Sequence, residues 1–255
     1  VHGLAALHEA TGDAGALERA LRGARWALAE RAMPGGGFRH DARDAAGPYL
    51  ADTLAMGRAM LSLYRITGDR SWLVHSAAAA AFVEARFRAA SGYAAGVRGD
   101  APIAPLPHLD ENIALARWTN LLARYTGDPA HAATARHALA WLARPDVALS
   151  RLTDAGVLLA DREIHRDPLH LTVVGAKDAA ASRALFDACL RVPGGYKRLD
   201  WWDRAEGPLP NPDIAYPKLA RPAAFVCTDD TCSTPIHEPG EVASFLAEFA
   251  REAGD

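Results

Sequence analysis

Lysine is almost missing from this chain. Of 28 basic residues only Lys177, Lys197 and Lys218 are lysines. The 31 acidic residues outnumber the basic ones, for a formal charge of −3, so there is no cationic surplus of the kind that holds nucleic acid. Three cysteines, Cys189, Cys227 and Cys232, are too few for a disulfide-stapled scaffold. No apolar run approaches the roughly 18 residues that a membrane span needs. The longest is the Ala-rich stretch 77–83. A basic start followed by an apolar segment is also missing, so no signal peptide is read and the cytoplasm is the expected compartment. What is present is apolar mass: half of the 255 residues are hydrophobic, enough to fill the core of one or two domains.

The first half repeats. Thr-Gly-Asp occurs at 11–13, 67–69 and 126–128, with the turn threonines 56 and 59 residues apart. Glycine just past a helix end takes a positive φ without strain, and aspartate then caps the next helix. Pro129 follows Asp128 at a first helical position, where its missing N–H does no harm. Each triplet therefore predicts a tight turn inside a helical hairpin. Before the turns, Leu50, Leu54, Gly57, Leu61 and Tyr64 form a 4-3-4-3 stripe. After them, Leu17, Leu21, Ala24 and Leu28 and then Leu73, Ala77, Ala80 and Phe87 do the same. Trp26, Trp72, Trp118 and Trp141 lie on these helices and are expected to pack between them.

Longer links join the hairpins: Gly35-Gly36-Gly37-Phe38 after the first, and Ser91-Gly92-Tyr93, extended by Pro102, Pro105 and Pro107, after the second. Alternating short and long loops predict an α/α toroid, with pre-turn helices in the inner ring and long loops at their N-terminal ends. Six hairpins of this length would need roughly 340 residues, so the ring is expected to be incomplete. Residues 1–7 already read as helix, and Val1 rather than Met comes first. We therefore expect the chain to be part of a longer protein, with an apolar edge able to self-associate.

The period changes in the second half. After a further helix at 153–161, Leu169–Val174 reads as a strand ending at Gly175. A helix at 179–190, a second strand at 196–202, a proline-rich stretch (Pro208, Pro210, Pro212, Pro217, Pro222), a third strand at 223–228 and an amphipathic helix at 241–251 follow. That last helix should face Val242, Phe245, Leu246 and Phe249 inward. Residues 1–165 are thus expected to be the mainly helical hairpin array, and 166–255 a small α/β element. Gly175 opening onto a helix lacks the full Gly-x-Gly-x-x-Gly pattern, so it reads as a plain turn.

Chemistry is sought where the repeat duplicates a polar group. At the 59-residue offset Asp52 falls on Glu111, each 15 residues before its turn threonine and in the first turn of an inner helix. Two carboxylates in a sugar-sized cleft can serve as general acid and base. Alternatively, each merely complements its own helix dipole. His40 and His108 occur on the same rim, with Asp110 and Asn112 beside Glu111. Tyr93, Trp201 and Trp202 either stack on a sugar ring or pack. Cys227 and Cys232, separated by four residues, read first as reduced structural thiols. A disulfide or redox pair is the second reading. A metal set completed by His237 and one of Cys189, His165 or His170 is the third, and none is assigned.

Four stretches together resemble one family. They are Leu50-Ala51-Asp52 through Thr67-Gly68-Asp69, Asp110-Glu111-Asn112 through Thr126-Gly127-Asp128, the strand Leu169–Gly175, and Phe225-Val226-Cys227-Thr228-Asp229-Asp230-Thr231-Cys232-Ser233-Thr234-Pro235-Ile236. They resemble the bacterial thioredoxin-domain proteins related to spermatogenesis-associated protein, over roughly residues 4–249. The resemblance implies the toroid of the six-hairpin glycosidase and sugar 2-epimerase type. It also implies a thioredoxin-like domain as partner, whose Cys-x-x-Cys motif this sequence does not contain. Epimerases of that fold use histidine as proton carrier. Two functions follow: a binding or scaffold module of such a protein, or a carbohydrate-active hydrolase or epimerase acting through Asp52 and Glu111. Neither needs a cofactor.

Overall fold

The computed structural model describes all residues except 44–46, 98–103, 152–153, 229–230 and 253–255, together with the side chains at 228, 231 and 247–252. Pro102, Thr153, Asp229-Asp230 and the side chain of Phe249 lie outside the described residues. The chain divides into two units. A helical unit takes in 1–8, 12–124 and 128–166. An α/β unit takes in 9–11, 125–127 and 167–255. Mainly helical with a small mixed sheet is thus the observed class. No described helix is long and apolar enough to cross a membrane.

The hairpins form as the triplets predict. α1 (His2–Thr11) and α2 (Ala14–Glu30), α3 (Leu50–Thr67) and α4 (Arg70–Phe87), and α5 (Leu109–Thr126) and α6 (Pro129–Leu142) are the pairs. Gly12, Gly68 and Gly127 sit at φ of 78°, 68° and 69°. Asp13, Asp69 and Asp128 then accept backbone N–H bonds from the first turns that follow, each cap contributing about 1 kcal/mol. α7 (Pro145–Ala148), which the apolar periodicity does not reveal, and α8 (Ala155–Ile164) complete the unit.

In the second and third hairpins the pre-turn helix is the more buried, whereas α1 buries only Ala5 and His8. α3 is enclosed on nearly every side, with eleven of its residues buried. α4 and α6 expose one face. α2 departs from expectation: its buried stripe is Ala16, Ala20, Ala24 and Ala27, while Leu17, Leu21 and Leu28 flank it half-buried. Alanines let helices approach closely, and a hydrophobicity pattern does not register that geometry. Trp72 and Trp118 are buried and Trp141 half-buried, but Trp26 is 54% exposed, with Arg31 over its ring. Packing is therefore corrected for Trp26 alone.

α3 and α5 meet at Gly57, where a methyl group would overlap the Trp118 indole. The indole Nε1 donates to Ser76 Oγ at 3.1 Å, and Ser76 Oγ donates to Gly57 O at 2.9 Å. This buried chain links α5, α4 and α3.

In the α/β unit the sheet order is β2-β1-β3-β4. β1 (Leu169–Val174) runs parallel to β2 (Lys197–Trp202) and antiparallel to β3 (Ala223–Thr228), which pairs with β4 (Thr231–Cys232). α9 (Ala180–Arg191) makes the crossover, and α10 (Glu241–Glu252) closes the unit. β1 and β2 are buried almost throughout, as parallel strands covered on both faces must be. The proline-rich stretch is one cover: Leu209 and Tyr216 join Val174, Ala223, Phe225 and Cys227 in a single apolar cluster, with Trp202, Ile214 and Leu219 against it. α9 is the other, with Phe186 stacked on Trp201 at 4.4 Å.

Candidate active site

Backbone pairing ties the start of α3 to the loop that leads into α5. Leu50 N donates to Ala95 O, and Ala95 N donates to Leu106 O. Tyr93 N donates to Asn112 Oδ1 at 2.8 Å, and Asn112 Nδ2 donates back to Tyr93 O and to His108 O, both at 2.9 Å. Thr53, which the 59-residue offset pairs with Asn112, does the same for the preceding loop, accepting from Phe38 N at 3.1 Å. A Gly-aromatic loop is thus pinned by the polar residue that follows each acid. The glycines are needed there: a Cβ on Gly37 would strike Phe82, and one on Gly92 would strike Trp141.

Beside these pins stand the two acids. His40 Nδ1 lies 3.1 Å from Asp52 Oδ1, and His108 Nδ1 lies 3.6 Å from Glu111 Oε1. Each histidine is about two-thirds exposed, whereas Asp52 and Glu111 are 23% and 19% exposed. The remaining oxygens, Asp52 Oδ2 and Glu111 Oε2, are buried without a hydrogen-bond partner. No side-chain bond caps α3, whose N-cap is Tyr49, and Asp52 stands in its first turn. Burial pushes the Glu111 carboxyl above its ordinary value; His108 opposes the rise, and the charges of Asp110 and Asp52 add to it.

Other predicted site residues have different employment. Asp110 is exposed and bidentate with Arg151 at 2.7 and 3.1 Å, which holds its carboxyl below the usual range. Asn112 is wholly buried and spends its amide on loop backbone, so its expected substrate contact becomes a positioning role. Tyr93 is wholly buried, its hydroxyl donating to Glu84. In the α/β unit Trp201 is 2% exposed under Phe186 and Arg183. Trp202 donates Nε1 to Gly207 O and carries Arg204 over its ring at 4.2 Å. Trp201 therefore has no face open for a sugar, while Trp202 is half-buried. Tertiary cover, invisible in the sequence, took Trp201.

Cys227 and Cys232 are bonded to each other across the β3–β4 pairing. The expectation of reduced thiols is thereby corrected, and neither sulfur is free for a metal. Their direct pairing in register brings the sulfurs within reach, which spacing alone does not disclose. Cys189 is a buried free thiol, its pKa pushed up to about 12 by burial.

Arg58 and Arg117 were not singled out by sequence reasoning. The 59-residue offset that pairs the acids also pairs these arginines, and carrying that alignment further along the helices would have found them. Comparison with known protein families and with curated proteins finds no match.

Proposed function

We propose that the helical unit binds a carbohydrate-like small molecule between the first turns of α3 and α5 and performs acid–base chemistry on it. One observation carries the reading. Two carboxylates at equivalent repeat positions each meet a histidine with one oxygen and keep the other buried and unbonded. Buried polar atoms are normally satisfied, and a hydroxyl-rich ligand supplies the missing donors. Glu111, whose proton is held more tightly than usual, is the general acid, and Asp52 the base. In hydrolysis Glu111 protonates the leaving oxygen while Asp52 takes a proton from the attacking water. The exposed histidines exchange those protons with solvent.

The finer fold reading is an incomplete α/α toroid, supported by the enclosed α3 between amphipathic neighbours. Within it the chain is the toroid module of a thioredoxin-domain protein of the kind its motifs resemble, with the thioredoxin-like domain as its partner. The decisive measurement is calorimetry and turnover with a panel of mono- and disaccharides. Asp52→Asn combined with Glu111→Gln should abolish binding of neutral sugars or turnover while the far-ultraviolet helical signal stays unchanged. Undiminished binding and turnover in that double variant would discard the reading.

A further inference from the structure

The contact of α3 with α5 at Gly57 and Trp118 carries a second pair of like groups. Gly57 lies against the Trp118 indole. The residue after Gly57 is Arg58 and the residue before Trp118 is Arg117, and the two guanidinium charges are near enough to act on each other. The bonds from Trp118 through Ser76 to Gly57 O fix the crossing from beneath. Their guanidinium groups are not equally provided for. Arg117 is bidentate with Glu163, at 2.8 Å from Nε and 2.6 Å from Nη2. Arg58 is half-buried and has no acidic partner among the described residues. Burial and the neighbouring Arg117 charge both weaken its hold on its proton.

A half-buried guanidinium beside another is an uncompensated cation, and its planar fork fits the paired oxygens of a carboxylate or phosphate. Each arginine comes six residues after its acid, about 9 Å along the helix axis. Six residues also set each arginine about 120° round the helix from its acid, so the long arginine side chain must reach back toward a ligand held by both.

We propose that Arg58, backed by Arg117, forms the anion subsite of the helical unit, so that its ligand is a polyhydroxylated acid bearing a carboxylate or a phosphate. This rests on the small-molecule reading above and narrows it to an anionic class. Glu163 neutralises Arg117 and leaves Arg58 to meet the ligand's charge. The acids at the other end of the site would repel an anion placed there, so they orient such a ligand with its hydroxyls toward Asp52 and Glu111.

The test is calorimetric titration of the whole chain with glucose, glucuronate and glucose 6-phosphate. At least one anionic sugar should bind tenfold or more tighter than glucose. Preference for glucuronate identifies a carboxylate, and preference for the phosphate ester identifies a phosphate. Arg58→Met should erase the preference without lowering the thermal midpoint, because it removes a cation that lacks a partner. Arg58→Lys should keep part of it. Equal binding of neutral and anionic sugars, an undiminished preference in Arg58→Met, or no binding by any of the three would overturn the proposal. The Asp52→Asn, Glu111→Gln double variant separates the two readings. Lost turnover with anion preference intact supports both, whereas full turnover discards the acid–base reading and leaves the subsite standing.

Discussion

Asp52 in the helical unit and Asp200 in the α/β unit each meet a histidine, at 3.1 and 3.2 Å. Beyond that the two pairs diverge. Asp200 is wholly buried, and its Oδ2 also accepts from Arg198 Nε at 2.7 Å. His170 is buried, with Nε2 also 3.0 Å from Thr172 Oγ1, to which Tyr216 OH donates at 2.8 Å. Arg198 goes on to bond Asp213 and Asn211 O. This network lies on the sheet face covered by the proline-rich stretch, and it is closed. At Asp52 the histidine is open to solvent and one carboxylate oxygen is left without a donor. The same two residue types therefore serve opposite ends. A satisfied network specifies structure, while an unsatisfied one keeps capacity for something else to bind.

The largest effect should come from breaking the closed pair. Asp200→Ala strips Arg198 and His170 of a buried acceptor and is expected to cost about 3 kcal/mol or more, read as a fall in the urea midpoint. Asp52→Ala should cost under about 1 kcal/mol, because its carboxylate is incompletely satisfied to begin with. Equal losses at the two positions would erase the distinction.

Next in size is Asn112→Ala. It leaves the backbone groups of Tyr93 and His108 without three bonds, at a cost of about 2–3 kcal/mol. Thr53→Ala, with a single bond to Phe38 N, should cost about 1 kcal/mol. Amide hydrogen exchange should then show Tyr93 N–H losing protection, with neighbouring helix amides unaffected.

The smallest effect is a slope. Glu111 holds its proton more tightly folded than unfolded, because burial disfavours its charged form. Its contribution is therefore fully present below the ordinary glutamate range, about pH 4.3, and is lost as pH rises through the elevated folded value. Glu111→Gln cannot ionise. Its stability relative to the parent chain should rise across that window and level off above it. A difference independent of pH would mean that Glu111 is not held in the protonated form.

The ladder of like positions was legible as far as it was followed. Thr-Gly-Asp announced all three hairpins because a left-handed glycine and an aspartate cap are local requirements, met by residues next to one another. Strand β1 was legible for the same reason, through its β-branched run, whereas the two-residue β4 was not foreseen. The 59-residue offset paired Asp52 with Glu111, but it was not carried to Thr53 and Asn112 or to Arg58 and Arg117. The His170–Asp200–Arg198 network gave no signal, because His170 on β1 meets Asp200 and Arg198 on β2 only once the two strands pair. Trp201 reads as a possible sugar platform in sequence, but Phe186 of α9 stacks on it, and no local pattern reveals that cover.

By itself the sequence determined the mainly helical class, the hairpin turns and the position of two acids at the starts of α3 and α5, all consequences of neighbouring residues and a fixed period. Only the tertiary structure decided that Trp26 faces solvent, that Asn112 serves a loop, that Cys227 bonds Cys232, and that each acid keeps one oxygen buried and unbonded. Burial and partner choice depend on what packs against a residue from far along the chain, and no local pattern encodes that.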